Sequence, residues 1–284
     1  MKKTTSFQEL KKINFSNQFR LHWLLILLIL IGSCKRTNKN QAEDSKIGEI
    51  IEYNNPPAEG FDIEGSNPIA ILLADQVMNN MGGREAWDNT RFISWNFFGR
   101  RHLFWDKQES KVRIDLDDKV IVVDMDDMTG SVWKNGTLIQ DQDTLEKYLN
   151  KGKDIWINDS YWLFMPFKLK DAGVTLSYIT EDSTQAGEPA SIVRLTFNEV
   201  GNTPNNAYEI WITDDPRLVK QWAWYRSEED KEPVFVLPWD EYKQYGDILL
   251  SGNRGERKIS DIKVWKKPPK DVFTSPKPIQ KSSS

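Results

Sequence analysis

The stretch FISWNFFGRRHLFW, residues 92–105, alternates its side chains with a period of two residues. Such alternation places Trp95 and Phe97 on one face of an extended chain and Ser94 and Asn96 on the other. Aromatic and β-branched residues in this pattern are typical of β-strands and not of helices. The stretch therefore predicts a strand with a bulky aromatic face.

The same period continues along the chain in runs that are separated by turn-forming residues. We predict further strands at residues 111–115, 120–124, 131–133, 174–179, 192–197, 208–212, 218–225, 235–242 and 258–265. Asn135-Gly136 and residues 213–216 predict hairpin turns. Trp222 and Trp224 share one face of their predicted strand. Consecutive strands with short links favour an antiparallel meander.

Helical periodicity is confined to short segments. The clearest predicts a helix over residues 68–81, because Asn67 and Pro68 suit its start and Gly82-Gly83 its end. Leu73 and Val77 lie on the apolar face of this helix. Shorter helical segments are predicted at residues 84–87, 143–150 and 158–165.

A bacterial lipoprotein signal is indicated at the beginning of the chain. Five Lys or Arg residues precede the apolar run 21–31, which is too short for a permanent membrane span of roughly 20 residues. Gly32 and Ser33 then precede Cys34, and Ile31-Gly32-Ser33-Cys34 resembles the lipobox, which implies cleavage before Cys34 and a lipid anchor on it. In enterobacteria, an Asp directly after the lipidated cysteine retains a lipoprotein in the inner membrane. Lys35 occupies this position here, so by analogy we expect the protein to be anchored in the outer membrane. The alternatives are an ordinary secretory signal and an uncleaved anchor.

These features predict four regions. Residues 1–33 are the signal peptide, residues 34–60 a flexible polar tether, residues 61–270 the folded domain and residues 271–284 a disordered Pro- and Ser-rich tail.

Composition excludes several functions. Loss of the basic signal changes the formal net charge from −4 to about −8, which disfavours nucleic acid as a partner. Cys34 is the only cysteine, so no disulfide or cysteine-based metal site is expected. His102 is the only histidine after the signal, and no Gly-x-Ser-x-Gly motif accompanies it. We therefore expect no cofactor, no metal and no enzyme activity.

Acidic clusters lie at residues 115–118 and 124–127. Short spacing of carboxylates suits a hard cation such as calcium, but the order of ligands in an EF-hand is missing. We interpret both clusters as solvated hairpin ends. A carboxylate-based hydrolase stays open, because the separation of two carboxylates is not visible in a sequence.

The segments MGGREAW (residues 81–87), DSYWLFMPFK (159–168) and DVFTSP (271–276) resemble an uncharacterised family of lipoprotein-like domains common in Bacteroidota. The order of elements, one amphipathic helix and then a long antiparallel meander, resembles the LolA/LolB lipoprotein-carrier fold. This resemblance implies an α+β half-barrel of about 10–11 strands, with the helices packed on its concave face. It also implies an apolar ligand and no catalysis.

The sequence thus leads to a membrane-anchored binding protein for lipid or lipoprotein acyl chains. The predicted groove lies between sheet and N-terminal helix, and its predicted lining residues are Trp95, Phe97, Trp222, Trp224, Leu73 and Val77. The alternative is an envelope scaffold or interaction lipoprotein with no small-molecule ligand; its protein partner is not specified by the sequence.

Overall fold

The computed structural model describes residues 54–198 and 200–279. Three α-helices lie in this part of the chain, α1 (Pro68–Asn80), α2 (Gly83–Asn89) and α3 (Gln142–Phe164), and a 3₁₀ turn, Met165–Phe167, follows α3. The strands are β1 (Phe92–Phe97), β2 (Arg101–Asp106), β3 (Lys111–Asp115), β4 (Lys119–Asp124), β5 (Gly130–Lys134), β6 (Thr137–Leu138), β7 (Val174–Ser183), β8 (Pro189–Phe197), β9 (Ala207–Thr213), β10 (Val219–Tyr225), β11 (Phe235–Pro238), β12 (Asp240–Tyr245), β13 (Ile248–Arg254) and β14 (Arg257–Trp265). The predicted signal, Cys34 and most of the tether lie outside the described residues.

The strands form two antiparallel sheets. One has nine strands in the order β12-β13-β14-β1-β2-β3-β4-β5-β6, and the other has five in the order β11-β10-β9-β8-β7. Trp239 alone separates β11 from β12, so the chain passes directly from the second sheet back into the first. Register shifts interrupt three strand pairs, and such bulges increase local twist and bending. The predicted α+β class with a curved antiparallel sheet is confirmed.

Several predicted elements differ from those in the structure. The stretch 92–105 is a hairpin and not one strand, because Phe98 (φ 54°) and Gly99 (φ 71°) adopt left-handed backbone conformations between β1 and β2. The predicted strand 235–242 is divided at Trp239, and β6 and β13 were not predicted. The turn at Asn135-Gly136 is confirmed, with φ of 51° and 79°.

Helix α3 replaces the two short helices predicted at residues 143–150 and 158–165. Gly152 weakens an isolated helix, but here a Cβ at this position would lie 2.8 Å from Ile121 Cγ2 of β4. The missing side chain lets α3 approach the sheet closely. Leu149, Leu163 and Phe164 are buried on the same helix, so α3 covers the inner face of the nine-stranded sheet.

Helix α1 begins as the sequence predicts. The Asn67 side chain accepts hydrogen bonds from the backbone N–H groups of Ile69 and Ala70, at 2.9 and 3.4 Å. Leu73 and Val77 point into the main core, which also contains buried side chains of both sheets.

The C-terminal strap, residues 268–279, lies on the opposite, outer face of the nine-stranded sheet. Its anchor is Arg113 of β3, which is fully buried. The guanidinium of Arg113 donates hydrogen bonds to the backbone carbonyls of Val272, Ser275 and Lys277, at 2.8, 2.6 and 2.5 Å. One side chain thus holds three points of the strap.

Apolar contacts reinforce the strap. Val272 is buried with Phe92 and Phe104 of the sheet, and the Phe273 ring lies edge-on to Phe104 at 5.7 Å. Residues 271–279 therefore differ from the predicted tail, because the outward-facing aromatic residues of β1 and β2 supply a surface on which the strap packs.

The predicted tether also differs over its last residues. Asn55 is buried and donates a hydrogen bond to Asp75 of α1 at 2.8 Å, while the Ala58 N–H donates to the Lys170 carbonyl at 2.9 Å. The folded part of the chain therefore begins before residue 61.

We expect Gly152→Ala to lower the free energy of unfolding by about 1–2 kcal/mol, although alanine favours helix, because the new methyl group clashes with Ile121. Urea unfolding measures the change, and Lys153→Ala, exposed on the same helix, is the matched control. Equal stability of the two variants would contradict the close contact between α3 and β4.

We expect Arg113→Leu to destabilise the protein by about 3 kcal/mol, because Asp115 and three strap carbonyls lose a buried partner. Amide hydrogen exchange at residues 271–279 should become faster in this variant, because the strap loses its anchor. Arg217→Leu, which removes only an exposed ion pair with Asp214, is the control. Unchanged exchange in the strap of Arg113→Leu would disprove the anchoring role.

Candidate functional site

A cavity of about 400 Å³ lies beside the second half of α3. Its other walls are the segment 168–174, the end of β8 with the loop up to Thr203, and the start of β9. We call it the aromatic cavity, after the rings in its wall, which belong to Trp156, Tyr161, Trp162, Phe197 and Tyr208.

The rings pack against one another and are held from behind. Tyr161 lies 5.1 Å from Tyr208 and 6.2 Å from Phe197, measured between ring centroids. Tyr208 in turn stacks on Trp222 at 5.5 Å, with the ring planes nearly parallel at 4°. The wall of the aromatic cavity is therefore the front layer of a packed aromatic core.

Both tyrosines of this wall remain uncharged at neutral pH. Burial raises the pKa of Tyr208 to about 12, although a hydrogen bond with Asn206 acts in the opposite direction. Burial raises the pKa of Tyr161 well above its usual value, and the nearby Tyr208 and Asp171 add to the shift. The rings of the wall are therefore uncharged, and the lining residues Lys168 and Asp171 pair with each other, which favours an apolar ligand over a charged one.

Two polar atoms in the wall lack a hydrogen-bond partner among the described residues. They are the Tyr161 hydroxyl and the indole Nε1 of Trp156, both buried. An unsatisfied buried donor costs about 1–3 kcal/mol.

A second opening of about 690 Å³ lies beside the same half of α3. It is bordered by α3, the turn between β1 and β2, and the turn between β13 and β14. We call it the basic cleft, after its cationic lining residues Arg100, Arg101, Arg257 and Lys258. Asn158 and Trp162 line both the basic cleft and the aromatic cavity.

A buried ion pair fixes α3 between the two openings. Arg101 Nε and Nη2 donate to the two carboxylate oxygens of Asp159, each at 2.6 Å. Asp159 is fully buried, and this burial raises the pKa of its carboxyl against the opposing hydrogen bonds from Arg101 and Asn158. The bidentate geometry defines the rotation of α3 relative to β2.

The predicted binding residues lie mainly behind these openings. Trp95, Trp222, Leu73 and Val77 belong to the packed core and are at most 5% exposed. Side chains therefore fill the predicted groove between sheet and N-terminal helix.

Two predicted residues are placed differently. Phe97 is buried in the same core but also borders the basic cleft, and Trp224 is half-buried against Phe235 at 5.6 Å. Sequence reasoning missed the rings of α3, although Trp156, Tyr161 and Trp162 lie within seven residues of one helical segment, which is a signal that could have identified them.

The acidic residues and the histidine considered in the sequence lie in or beside neighbouring strands of the nine-stranded sheet. Asp115 pairs with Arg113 at 2.6 Å and accepts a hydrogen bond from the Ile279 N–H at 3.1 Å. His102 lies in β2 between Asn96 and Asp115 of the neighbouring strands. Within residues 54–198 and 200–279, no three His, Cys, Asp or Glu residues are grouped as metal ligands.

In the same part of the chain, no helix has the length and apolarity to span a membrane.

No protein-family model and no curated protein matches the sequence. Structural comparison finds a DUF1329 family protein from Desulfovibrio piger, with TM-score 0.37 and 12% identity over 72% of this chain and 96% of that chain. It also finds the Pseudomonas aeruginosa MucA/MucB complex, with TM-score 0.22 and 15% identity over 71% of this chain and 60% of that chain. TM-scores this low do not establish a shared fold, so neither structure bears on the function of this protein.

We expect Tyr161→Phe to raise the free energy of unfolding by about 1 kcal/mol, because it removes a buried hydroxyl that has no partner among the described residues. Tyr225→Phe is the matched control and should be destabilising by a similar amount, since the Tyr225 hydroxyl donates to Glu209 at 2.7 Å. Urea unfolding of both variants without ligand measures the difference. Destabilisation by Tyr161→Phe would show that this hydroxyl has a bonding partner.

Proposed function

We propose that this protein is a lipid-anchored lipoprotein of the cell envelope that binds an apolar ligand, such as an acyl chain, in the aromatic cavity and carries out no catalysis. The observation that carries the proposal is the cavity itself. Its volume of about 400 Å³ lies within the roughly 300–1,000 Å³ typical of small-molecule sites, and five aromatic rings line it. The packed core offers no such space beside Trp95 or Trp222.

The chemistry of the cavity supports a chain-like apolar ligand. Both tyrosines are neutral, and the wall also contains the aliphatic side chains of Ile157, Val174 and Val200. Burial of each methylene group contributes about 0.8 kcal/mol, so affinity should rise about fourfold for every added carbon until the cavity is filled.

The anchor places this cavity near a membrane. Residues 35–54 separate Cys34 from Asn55, the first buried residue in the described part of the chain, and twenty residues span at most about 70 Å. A domain held within this distance of a bilayer can exchange lipids with it. We propose the outer membrane as the site of anchoring, from the absence of Asp after Cys34.

A specific surface favours the alternative, an interaction lipoprotein of the envelope. Ile63, Ile69 and Leu72 are 57%, 53% and 47% exposed around the start of α1. They lie near β7, the edge strand of the five-stranded sheet, whose Ile179 is 47% exposed. Residues 62–67 already hydrogen-bond to Val174 and Leu176 of this edge, and the exposed apolar residues beside its remaining part suit strand addition by another protein.

Binding of cis-parinaric acid, a fluorescent fatty acid, to the chain from residue 34 with Cys34→Ser distinguishes the two functions. We expect Val200→Trp, which places a large ring in the aromatic cavity, to raise the Kd at least tenfold. Val234→Trp, at a position that is 50% exposed, is the matched control and should leave the Kd unchanged.

Native mass spectrometry of the same chain, after delipidation and exposure to fatty acids from C8 to C18, gives an independent measurement. Stoichiometric adducts whose affinity rises with chain length support the apolar site. If no fatty acid forms an adduct with the chain, the apolar site is disproved and the interaction surface is favoured.

A further inference from the structure

The basic cleft has the composition of an anion site. We propose that it binds the phosphate or carboxylate group of an amphiphile whose apolar chain occupies the aromatic cavity. This inference rests on the function proposed above and adds a charged head group to its ligand.

Strand pairing gathers the cations of the cleft. Phe97, the last residue of β1, pairs with Ile259 near the start of β14. The turn after β1 and the turn before β14 therefore lie side by side at one end of the sheet. Arg100 extends from the first turn, and Arg257 and Lys258 follow the second.

These three cations are available to a ligand. Arg100, Arg257 and Lys258 are exposed, and none of them forms an ion pair with a described carboxylate. Arg101 differs, because its guanidinium is engaged by Asp159. Neighbouring like charges repel one another, and an anion between them relieves the repulsion.

The charge of the cleft is opposite to that of the chain. The whole sequence has 42 acidic and 38 basic residues. The cleft and its buried pair contain four cations, whereas the carboxylates there are those of Glu256 and Asp159. A local positive potential on an acidic chain attracts anions to this one end of the sheet.

Aromatic rings connect the cleft to the proposed apolar site. The Trp162 ring lies 5.2 Å from the Phe98 ring, and the Arg257 guanidinium lies 5.7 Å from the Trp162 ring centroid. Trp162 and Asn158 also line the aromatic cavity, so the two openings share these wall residues, over which the ligand is proposed to extend. Its acidic group would face the three free cations.

The test compares three ligands of equal chain length, n-decyl phosphate, decanoate and 1-decanol, together with inorganic phosphate. Titration calorimetry is performed on the chain from residue 34 with Cys34→Ser and on the same chain carrying Arg257→Gln and Lys258→Gln. The control carries Lys231→Gln and Lys243→Gln, which change the net charge equally at exposed positions elsewhere.

We expect the double variant Arg257→Gln, Lys258→Gln to bind decyl phosphate and decanoate with a Kd at least tenfold higher than that of the parent chain. Its Kd for 1-decanol should change less than twofold. The control should bind every ligand like the parent chain. Raising the salt concentration from 50 to 300 mM should weaken the binding of the two anions and leave the binding of 1-decanol unchanged. If inorganic phosphate binds weakly and decyl phosphate binds tightly, the result supports a lipid head group as the source of the anion.

Other outcomes separate the two proposals. If 1-decanol binds and the Arg257→Gln, Lys258→Gln chain keeps full affinity for both anions, the head-group site is disproved and the apolar site stands. If inorganic phosphate binds as tightly as decyl phosphate and 1-decanol does not bind, the cleft takes a free anion and both the amphiphile and the apolar function are rejected. If no ligand binds, both proposals fail.

Discussion

Close packing of α3 on the inner face of the nine-stranded sheet organises the whole domain. The contact requires Gly152, since any larger residue meets Ile121, and it places a 23-residue helix where an open sheet would otherwise face solvent. The helix buries the apolar face of β3 and β4, and its second half reaches the five-stranded sheet through Trp162 and Tyr161. The two sheets thus share one core because one helix contacts both.

Buried charges hold the second half of α3 in place. Arg101 holds Asp159 from the side of the nine-stranded sheet, and Arg254 of β13 donates to the Trp162 carbonyl at 2.7 Å. Arg254 also lies 3.3 Å above the Trp239 ring, at the point where the chain leaves one sheet for the other. Burial lowers the pKa of Arg254 to about 9, because its carbonyl partners and the ring offset only part of the lost hydration. Such groups need an accurate register between helix and sheet, which apolar packing alone specifies less well.

This arrangement explains why the openings lie where they do. The interior between α1 and the sheets is filled by side chains such as Leu73 and Val77, and the two openings lie beside α3 residues that face a turn or a loop. The aromatic cavity lies on the side of the β8–β9 loop, and the basic cleft lies on the side of two hairpin turns. On the outer face the strap covers Phe92 and Phe104, so the aromatic residues of β1 and β2 that point away from α3 are buried as well. The binding proposals therefore concern α3 and its neighbours and not the broad faces of the sheet.

Local patterns were enough to predict most strands, the start of α1 at Asn67 and the turn at Asn135-Gly136, because alternation, capping and left-handed turns are properties of a few adjacent residues. The α+β class followed from the same signals. Which aromatic residues meet solvent could not be predicted from them. Alternation tells which face of a strand carries Trp95 or Trp222, but whether that face is covered depends on α3 and the strap, which are distant in sequence. For this reason Trp95, Phe97 and Trp222 lie in the core, while the cavity wall includes Trp156, Tyr161 and Trp162 of a helix that the sequence predicted only as two shorter segments.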